Sequence, residues 1–298
     1  MPTMTIKAQI LSISEEMTAA ERKISAAVLA DYPFGGLASI QELAERAKVS
    51  APSITRFVAK LGCAGYQEFQ RRLIDELKEG ARSPIDLRAT QDISARRGFL
   101  PAYFERVSSR LEQTAADIPE DVFEAVCELI ADPKRSVYVM GGRVSDSLAR
   151  FLTINLRLVR KGVFHIPADP EMWPDYIQTM TKRDVVVLLD FRRYQPSLLR
   201  FAETASRTAR PQIVLVTDQW LSPISQFAQR IFALPIAVGT AWDTLVGSLA
   251  LIEALVVKIS EDEWESSRAR FEAWDELRDG LRDKSAAPFR PGKAGSAS

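Results

Sequence analysis

Five short apolar runs in the second half of the chain constrain its fold more than any other feature. Each run is rich in β-branched residues, and each is followed by a segment long enough for a helix or a turn. The runs are residues 136–142, 163–167, 185–191, 212–218 and 230–236. Because strands that are apolar throughout are buried on both faces, the pattern predicts an α/β domain with a parallel five-stranded sheet flanked by helices. A ligand of such a sheet binds beyond the carboxyl ends of its strands.

The first half carries a different pattern, that of two short helices joined by a tight polar turn. Ser39 is the expected N-cap of the first helix, and Glu42 completes a capping box with it. Ser50 is the expected N-cap of the second helix, Pro52 lies in its first turn, and Gly62 ends it. The spacing is typical of an all-α helix-turn-helix domain.

The outer face of the second helix offers hydroxyl and cationic donors and no carboxylate. Phosphate oxygens and base edges accept hydrogen bonds from such donors. Between Arg46 and Arg72 there are six cationic side chains and one carboxylate, Glu68, which gives a local net charge of +5. Residues 1–80 as a whole contain ten cationic and ten acidic side chains. We therefore predict contacts to a double-stranded DNA operator from Lys48, Ser50, Ser53, Thr55, Arg56 and Lys60. The alternative is a helical hairpin with a solvated basic face.

A short signature follows the second helix: Leu61-Gly62, then Gly65-Tyr66 and Phe69. With this signature, residues 5–80 resemble the N-terminal domain of the RpiR family of bacterial transcriptional regulators. The resemblance implies that the protein represses or activates catabolic genes.

The second half resembles the SIS domain, a phosphosugar-binding fold that accompanies the helix-turn-helix in that family, over about residues 120–260. The marks are Gly141-Gly142 after the first strand, Ser145 in the next turn, Thr217-Asp218 and Ser222-Pro223. Glycines let a ligand approach the backbone, while helix N-terminal amides and hydroxyls hold an anion. The alternative for the glycine pair is a strand-to-helix turn that merely needs glycine.

Two departures from the SIS pattern bear on the ligand. Arg143 stands where the family has its second glycine, and residues 190–194, Asp-Phe-Arg-Arg-Tyr, replace the Ser-x-Ser-Gly loop that cups a sugar phosphate. Two guanidinium groups can pair bidentately with a phosphate or carboxylate, and Asp190 can accept a sugar hydroxyl or hold Arg143. The predicted effector-binding residues are Gly141, Gly142, Arg143, Ser145, Asp190, Arg192, Arg193 and Asp218. The alternative is a structural ion-pair network.

Length and composition predict two domains in one cytoplasmic chain. The 298 residues exceed the size of one typical core, and they contain no apolar run of about 18 residues and no N-terminal apolar segment for secretion. The expected organisation is a helix-turn-helix domain at 1–80, a linker at 81–98, an SIS-like domain at 99–283 and a disordered tail at 284–298. Helices are expected from residue 18, at 99–116 and at 119–131. The last charged segment is expected to form a helix whose apolar stripe packs against the SIS core or a second subunit; the stripe consists of Trp264, Phe271, Trp274, Leu277 and Leu281.

Neither a metal site nor a cofactor is expected. Cys63 and Cys127 lack ligand spacing and are interpreted as packing residues. His165, the single histidine, lies in a short predicted strand without an obvious partner, so no catalytic residue is assigned. A helix from Asp243 to Ile259 is apolar on most sides and must be covered, which predicts a homo-oligomer, either a dimer or a tetramer.

Together these features predict a DNA-binding regulator of carbohydrate or related carbon metabolism. A small anionic metabolite, either a sugar phosphate or a sugar acid, would bind the SIS domain and change operator affinity. Two alternatives remain open at this stage. One is a sugar-phosphate isomerase of the SIS type; the other is a DNA-binding protein whose degenerate SIS domain serves only for dimerisation.

Overall fold

The computed structural model describes residues 5–29, 32–81, 85, 87 and 98–281. Most of the predicted linker and the whole predicted tail at 284–298 lie outside the described residues. Within the described part, no helix combines the length and the apolarity that a membrane crossing requires.

The N-terminal part is a small helical bundle. Its helices are α1 (Ile6–Ser12), α2 (Ala19–Leu29), α3 (Ile40–Ala47), α4 (Ala51–Lys60) and α5 (Tyr66–Ala81). The sequence predicted α3 and α4 and a leading helix from residue 18, whereas α1 was not predicted. Ile54, Phe57 and Val58 of α4 are fully buried in the core of this bundle, which leaves the opposite face of α4 to solvent.

The turn between α3 and α4 follows the predicted chemistry with one difference. The capping box of Ser39 and Glu42 is confirmed, and Lys48 ends α3 in the left-handed conformation with φ 52°. Ser50 occupies the N-cap position of α4, but its hydroxyl does not cap the helix and instead pairs with the Ser53 hydroxyl at 2.9 Å. Gly62 follows α4 with a φ of 74°, a conformation that glycine adopts without strain.

The remaining part is an α/β unit. Its elements are α6 (Phe99–Asp117), α7 (Glu120–Ala131), β1 (Val137–Gly141), α8 (Asp146–Val159), β2 (Val163–His165), α9 (Trp173–Thr179), β3 (Val185–Asp190), α10 (Pro196–Thr208), β4 (Gln212–Asp218), β5 (Arg230–Leu234), α11 (Val246–Asp262) and α12 (Trp264–Leu281). All strand pairs are parallel, in the order β2-β1-β3-β4-β5. The predicted parallel five-stranded sheet is therefore confirmed.

Helices cover both faces of this sheet, as strands buried on both sides require. Val137 and Val139 of β1 face a layer that includes residues of α7, α8 and α11, whereas Tyr138 and Met140 face residues of α9 and α10. The chain runs from β1 outward to β2 and then returns to place β3 on the other side of β1. This reversal opens a crevice at the carboxyl ends of β1 and β3, where doubly wound folds bind their ligands.

Two helices differ from the sequence-based expectation. α11 begins at Val246, three residues after the predicted start at Asp243, because the preceding residues form a loop at the sheet edge. In α12 only Phe271 of the predicted apolar stripe packs against the core, and Trp264, Trp274, Leu277 and Leu281 are exposed.

Candidate functional site

The outer face of α4 presents the residues predicted to contact DNA. Ser50, Thr55 and Arg56 are exposed, and Ser53 is half-buried. The Arg56 guanidinium donates to the Ser53 hydroxyl at 3.3 Å, and Thr55 donates to the Ala51 carbonyl at 3.3 Å. These weak local bonds leave the hydroxyl and guanidinium groups at the surface, where they can reach a phosphate or a base edge.

Several cations of the basic segment are held within the bundle. Lys60 forms an ion pair with Glu21 of α2 at 3.2 Å. Arg46 donates to the Gly35 carbonyl, and Arg72 donates to Gln9 at 2.9 Å. Sequence reasoning counted these side chains as a continuous patch, because sequence spacing does not show which cations find acceptors within the fold.

Lys48 and Arg56 are therefore the cations best placed for DNA. Within the described ranges neither of them forms an ion pair with a carboxylate, and both are exposed. Arg56 projects from the middle of α4, and Lys48 lies in the turn just before this helix.

A cavity of about 390 Å³ lies at the carboxyl edge of the sheet. Three loops enclose it, those that follow β1, β3 and β5, and Leu87 also reaches it. Six of the predicted effector-binding residues line it: Gly142, Arg143, Ser145, Asp190, Arg192 and Arg193. Gly141 and Asp218, which were also predicted, are not part of the lining.

The loop after β1 depends on its first glycine for backbone geometry. A Cβ on Gly141 would lie 2.5 Å from backbone atoms of Ser145 and Asp146, a contact that real Cβ atoms do not make. The Ser145 hydroxyl donates to the Leu189 carbonyl at 2.7 Å and accepts from the Gly142 amide at 2.8 Å. This hydroxyl therefore joins the β1 and β3 loops and has no free proton for a ligand.

Asp190, at the end of β3, is a buried carboxylate on the cavity wall. It is 2% exposed and accepts hydrogen bonds from the Ser222 hydroxyl at 2.5 Å and from the Gln195 amide at 3.3 Å. Burial raises the pKa of Asp190 to about 7, and the nearby Asp218 adds to the rise, while the Ser222 bond opposes it. Asp190 could have held Arg143, but its observed partner is Ser222, and Arg143 is exposed.

Arg192 is a buried guanidinium beside the cavity. Its side chain is 3% exposed, it lies over the Trp220 ring at 3.9 Å, and its Nη1 is 3.3 Å from Asp243 Oδ1. Within the part of the chain that the structure describes, its Nε, Nη1 and Nη2 make no hydrogen bond. Asp243 offsets its charge, but buried N–H donors without acceptors are costly, so these donors need an acceptor. Arg193 is exposed, with a left-handed φ of 70°.

Asp218 is the last residue of β4 and is fully buried. It accepts hydrogen bonds from the Tyr194 hydroxyl at 2.8 Å and from the Trp220 amide at 2.9 Å. Burial raises the pKa of Asp218 to about 6, although these hydrogen bonds and Arg192 oppose the rise. The carboxylate thus holds together the loops that carry Tyr194 and Trp220.

Sequence reasoning missed three residues around the cavity: Trp220, Trp242 and Asp243. All three belong to loops that follow β4 and β5, so the rule that ligands bind at carboxyl ends could have drawn attention to them. The Asp243 pairing and the Trp220 stacking join loops far apart in sequence, and spacing alone does not predict them.

The interpretation of His165 as a histidine without a partner was wrong. His165 Nε2 lies 2.7 Å from Asp146 Oδ1, and Asp146 also pairs with Arg150 at 2.8 Å. The partner lies 19 residues away on α8, which packs beside the β2 strand. His165 is not part of the cavity lining.

The helix-turn-helix bundle and the α/β unit define a class of protein, a transcriptional regulator with a DNA-binding domain and an SIS domain. Residues 4–80 match the family model described as "Helix-turn-helix domain, rpiR family", and residues 129–258 match the model of the SIS domain. The chain thus carries an rpiR-family helix-turn-helix domain followed by an SIS domain, the arrangement of RpiR-type regulators.

Relatives and solved structures agree with this assignment. An uncharacterized HTH-type transcriptional regulator of Thermotoga maritima is 23% identical over 74% of this chain and 77% of its own length. The HTH-type transcriptional regulator HexR of Escherichia coli is 21% identical over 72% of this chain and 73% of its own length. The structure of the Vibrio vulnificus NanR protein complexed with ManNAc-6P shares the fold, with a TM-score of 0.52, 17% identity, and coverage of 93% of this chain and 99% of NanR.

Proposed function

We propose that a small anionic metabolite binds the cavity at the carboxyl edge of the sheet and thereby changes the affinity of the protein for an operator that controls genes of carbohydrate or related carbon metabolism. The observation that carries this proposal is the buried Arg192 guanidinium, which lines the cavity and makes no hydrogen bond within the described residues. An anion is the partner that such a group prefers. The NanR structure, complexed with ManNAc-6P, supports a sugar phosphate, and a sugar acid is the related class.

DNA binding is proposed to occur through the outer face of α4 and the turn before it. Arg56 and the hydroxyls of Ser50, Ser53 and Thr55 would contact base edges or phosphates, and Lys48 would contact a phosphate. Lys60 contributes less, because its ion pair with Glu21 must open first. A homo-oligomer would place two such helices on a palindromic operator.

A chain of hydrogen bonds connects the cavity to the helical bundle. Asp190 accepts from the Ser222 hydroxyl, and the Ser225 hydroxyl donates to the Ser222 carbonyl at 2.5 Å. Lys7 of α1 in turn donates to the Ser225 hydroxyl. Lys7 is buried, and burial lowers its pKa to about 8 although Glu76 opposes this. A ligand that moves Asp190 would thus reach α1 through the short turn at Pro223–Gln226.

We infer further that the protein acts in the cytoplasm and that its two units correspond to residues 1–80 and 99–283, with a linker between them. We also infer that the α/β unit binds its ligand without catalysing a reaction. Asp190, whose pKa is near neutrality, has the ionisation that a proton-transferring group needs. Its carboxylate is already engaged by Ser222 and Gln195, which favours a structural role.

Operator binding tests the DNA-binding surface. Duplexes selected by the protein from a random pool would be titrated in fluorescence anisotropy at fixed salt. Arg56→Ala should weaken binding by about 1 to 3 kcal/mol if Arg56 reaches a guanine edge. Arg207→Ala removes another exposed arginine, in α10, and serves as the control. Equal losses in both variants, or none in Arg56→Ala, would refute the assignment.

A further inference from the structure

The walls of the cavity are mainly apolar. Phe191, Ile236, Ala241, Trp242 and Leu245 contribute to the lining from the loops after β3 and β5. A hydrocarbon or aromatic group that leaves water for such walls is stabilised in proportion to the apolar surface that it buries. A sugar gains little there, since most of its surface consists of hydroxyl groups.

The lining also lacks the free hydroxyl groups that a sugar needs. Ser145 is the one hydroxyl side chain among the described lining residues, and both of its hydrogen bonds are made within the protein. Asp190 likewise accepts from Ser222 and Gln195. Each sugar hydroxyl that is buried without a partner loses its hydrogen bonds to water, which weakens binding. Of the other polar lining side chains, Arg143 and Arg193 are exposed and Gln195 and Asp243 are partly buried, so the buried wall offers few polar groups to a polyhydroxylated ligand.

Among the polar side chains of the lining, the Arg192 guanidinium is a buried group whose N–H donors make no hydrogen bond within the described residues. Trp220 covers one face of this group, and Asp243 lies beside Nη1. A planar carboxylate fits the N–H donors of an arginine edge with two parallel hydrogen bonds. A phosphate dianion brings two charges, which Asp190 and Asp243 would repel inside a poorly solvated cavity. The arginines at the exposed rim are hydrated and offset this repulsion less.

We propose that the effector is a small monocarboxylate with an apolar body, whose carboxylate pairs with Arg192 and whose body lies against Phe191, Ile236 and Trp242. This inference rests on the proposed function, since it takes the cavity to be the effector site. It departs from the sugar phosphates that the family resemblance implies.

Calorimetry on the full chain at pH 7.5 and fixed ionic strength tests the proposal with four probes. Phenylacetate and 2-oxoisovalerate have one carboxylate and an apolar body, gluconate has a carboxylate and a polyol body, and glucose 6-phosphate has a dianion and a sugar body. The expected result is that one of the apolar carboxylates binds at least tenfold more tightly than gluconate and glucose 6-phosphate. Arg192→Met should abolish this binding, whereas Arg207→Met, which changes an exposed arginine of α10 outside the cavity lining, should leave it unchanged.

A second variant keeps the test decisive if Arg192→Met does not fold. Trp242 is 74% exposed, so Trp242→Ala leaves the core intact and should weaken the apolar carboxylate about 2- to 10-fold. Tighter binding of glucose 6-phosphate or gluconate would overturn the inference and leave the proposed function standing. Absence of binding by all four probes, in a chain that still binds its operator, would count against both.

Discussion

Replacement of Asp190 by asparagine should remove a large part of the pH dependence of stability of the α/β unit. Burial raises the pKa of Asp190 from 3.8 to about 7, so the folded chain keeps a proton that the unfolded chain has already lost between these values. Because the unfolded state binds fewer protons in this window, the free energy of unfolding falls as the pH rises from about 4 to 7. Above pH 7 both states are ionised and the effect levels off.

The expected magnitude follows from the width of this window. In this window the free energy of unfolding falls by about 1.4 kcal/mol for each pH unit. The fall over the two units from pH 5 to pH 7, and hence from pH 5 to pH 8, is about 2 to 3 kcal/mol. Asp190 is 2% exposed, so solvent screening reduces this figure little. An asparagine side chain at this position would keep an acceptor for Ser222 without a titrating proton, so the substituted chain should lack this contribution. Burial also raises the pKa of Asp218, which adds a pH dependence of the same sign to both proteins.

Urea unfolding at pH 5, 6.5 and 8 measures the difference. All five tryptophans lie between residues 173 and 274, so their fluorescence reports on the α/β unit. Asp190→Asn should gain stability relative to the wild type as the pH rises, whereas Asp175→Asn, which changes an exposed aspartate of α9, should follow the wild type. Parallel pH profiles for wild type and Asp190→Asn would refute the buried, proton-retaining carboxylate.

Two further predictions concern coupling and assembly. Lys7→Met keeps an apolar stem in the buried position but removes the donor to Ser225. It should reduce the roughly 1 to 3 kcal/mol by which a typical effector shifts operator affinity, while effector binding measured by calorimetry stays unchanged. The exposed Lys23→Met is the control, and an undiminished effect of the effector on operator affinity in Lys7→Met would rule out this route. Light scattering on the full chain at micromolar concentration should show a dimer or a tetramer, because exposed Phe99, Leu100 and Phe104 on α6 and the exposed apolar residues of α12 need cover; a monomer would contradict the predicted oligomer.

The sequence by itself determined the two kinds of secondary structure and their order. The five strands could be predicted because a parallel sheet covered on both faces requires continuous apolar runs, which are local and easily counted. The α3–turn–α4 unit could be predicted for a similar reason, since the Ser39 capping box and Gly62 act on their own neighbours. Helix α1 was missed because its seven residues, between short polar stretches, carry too little periodicity.

Only the tertiary structure decided which of the predicted site residues can meet a ligand. Arg192 and Arg193 are adjacent and identical in sequence, yet one is buried over Trp220 beside Asp243 and the other is exposed. Ser145 looked like a ligand donor, but its hydroxyl is used between two loops. Burial and hydrogen-bond partners depend on contacts between loops that follow different strands, and such contacts between distant segments leave no local pattern in a single sequence.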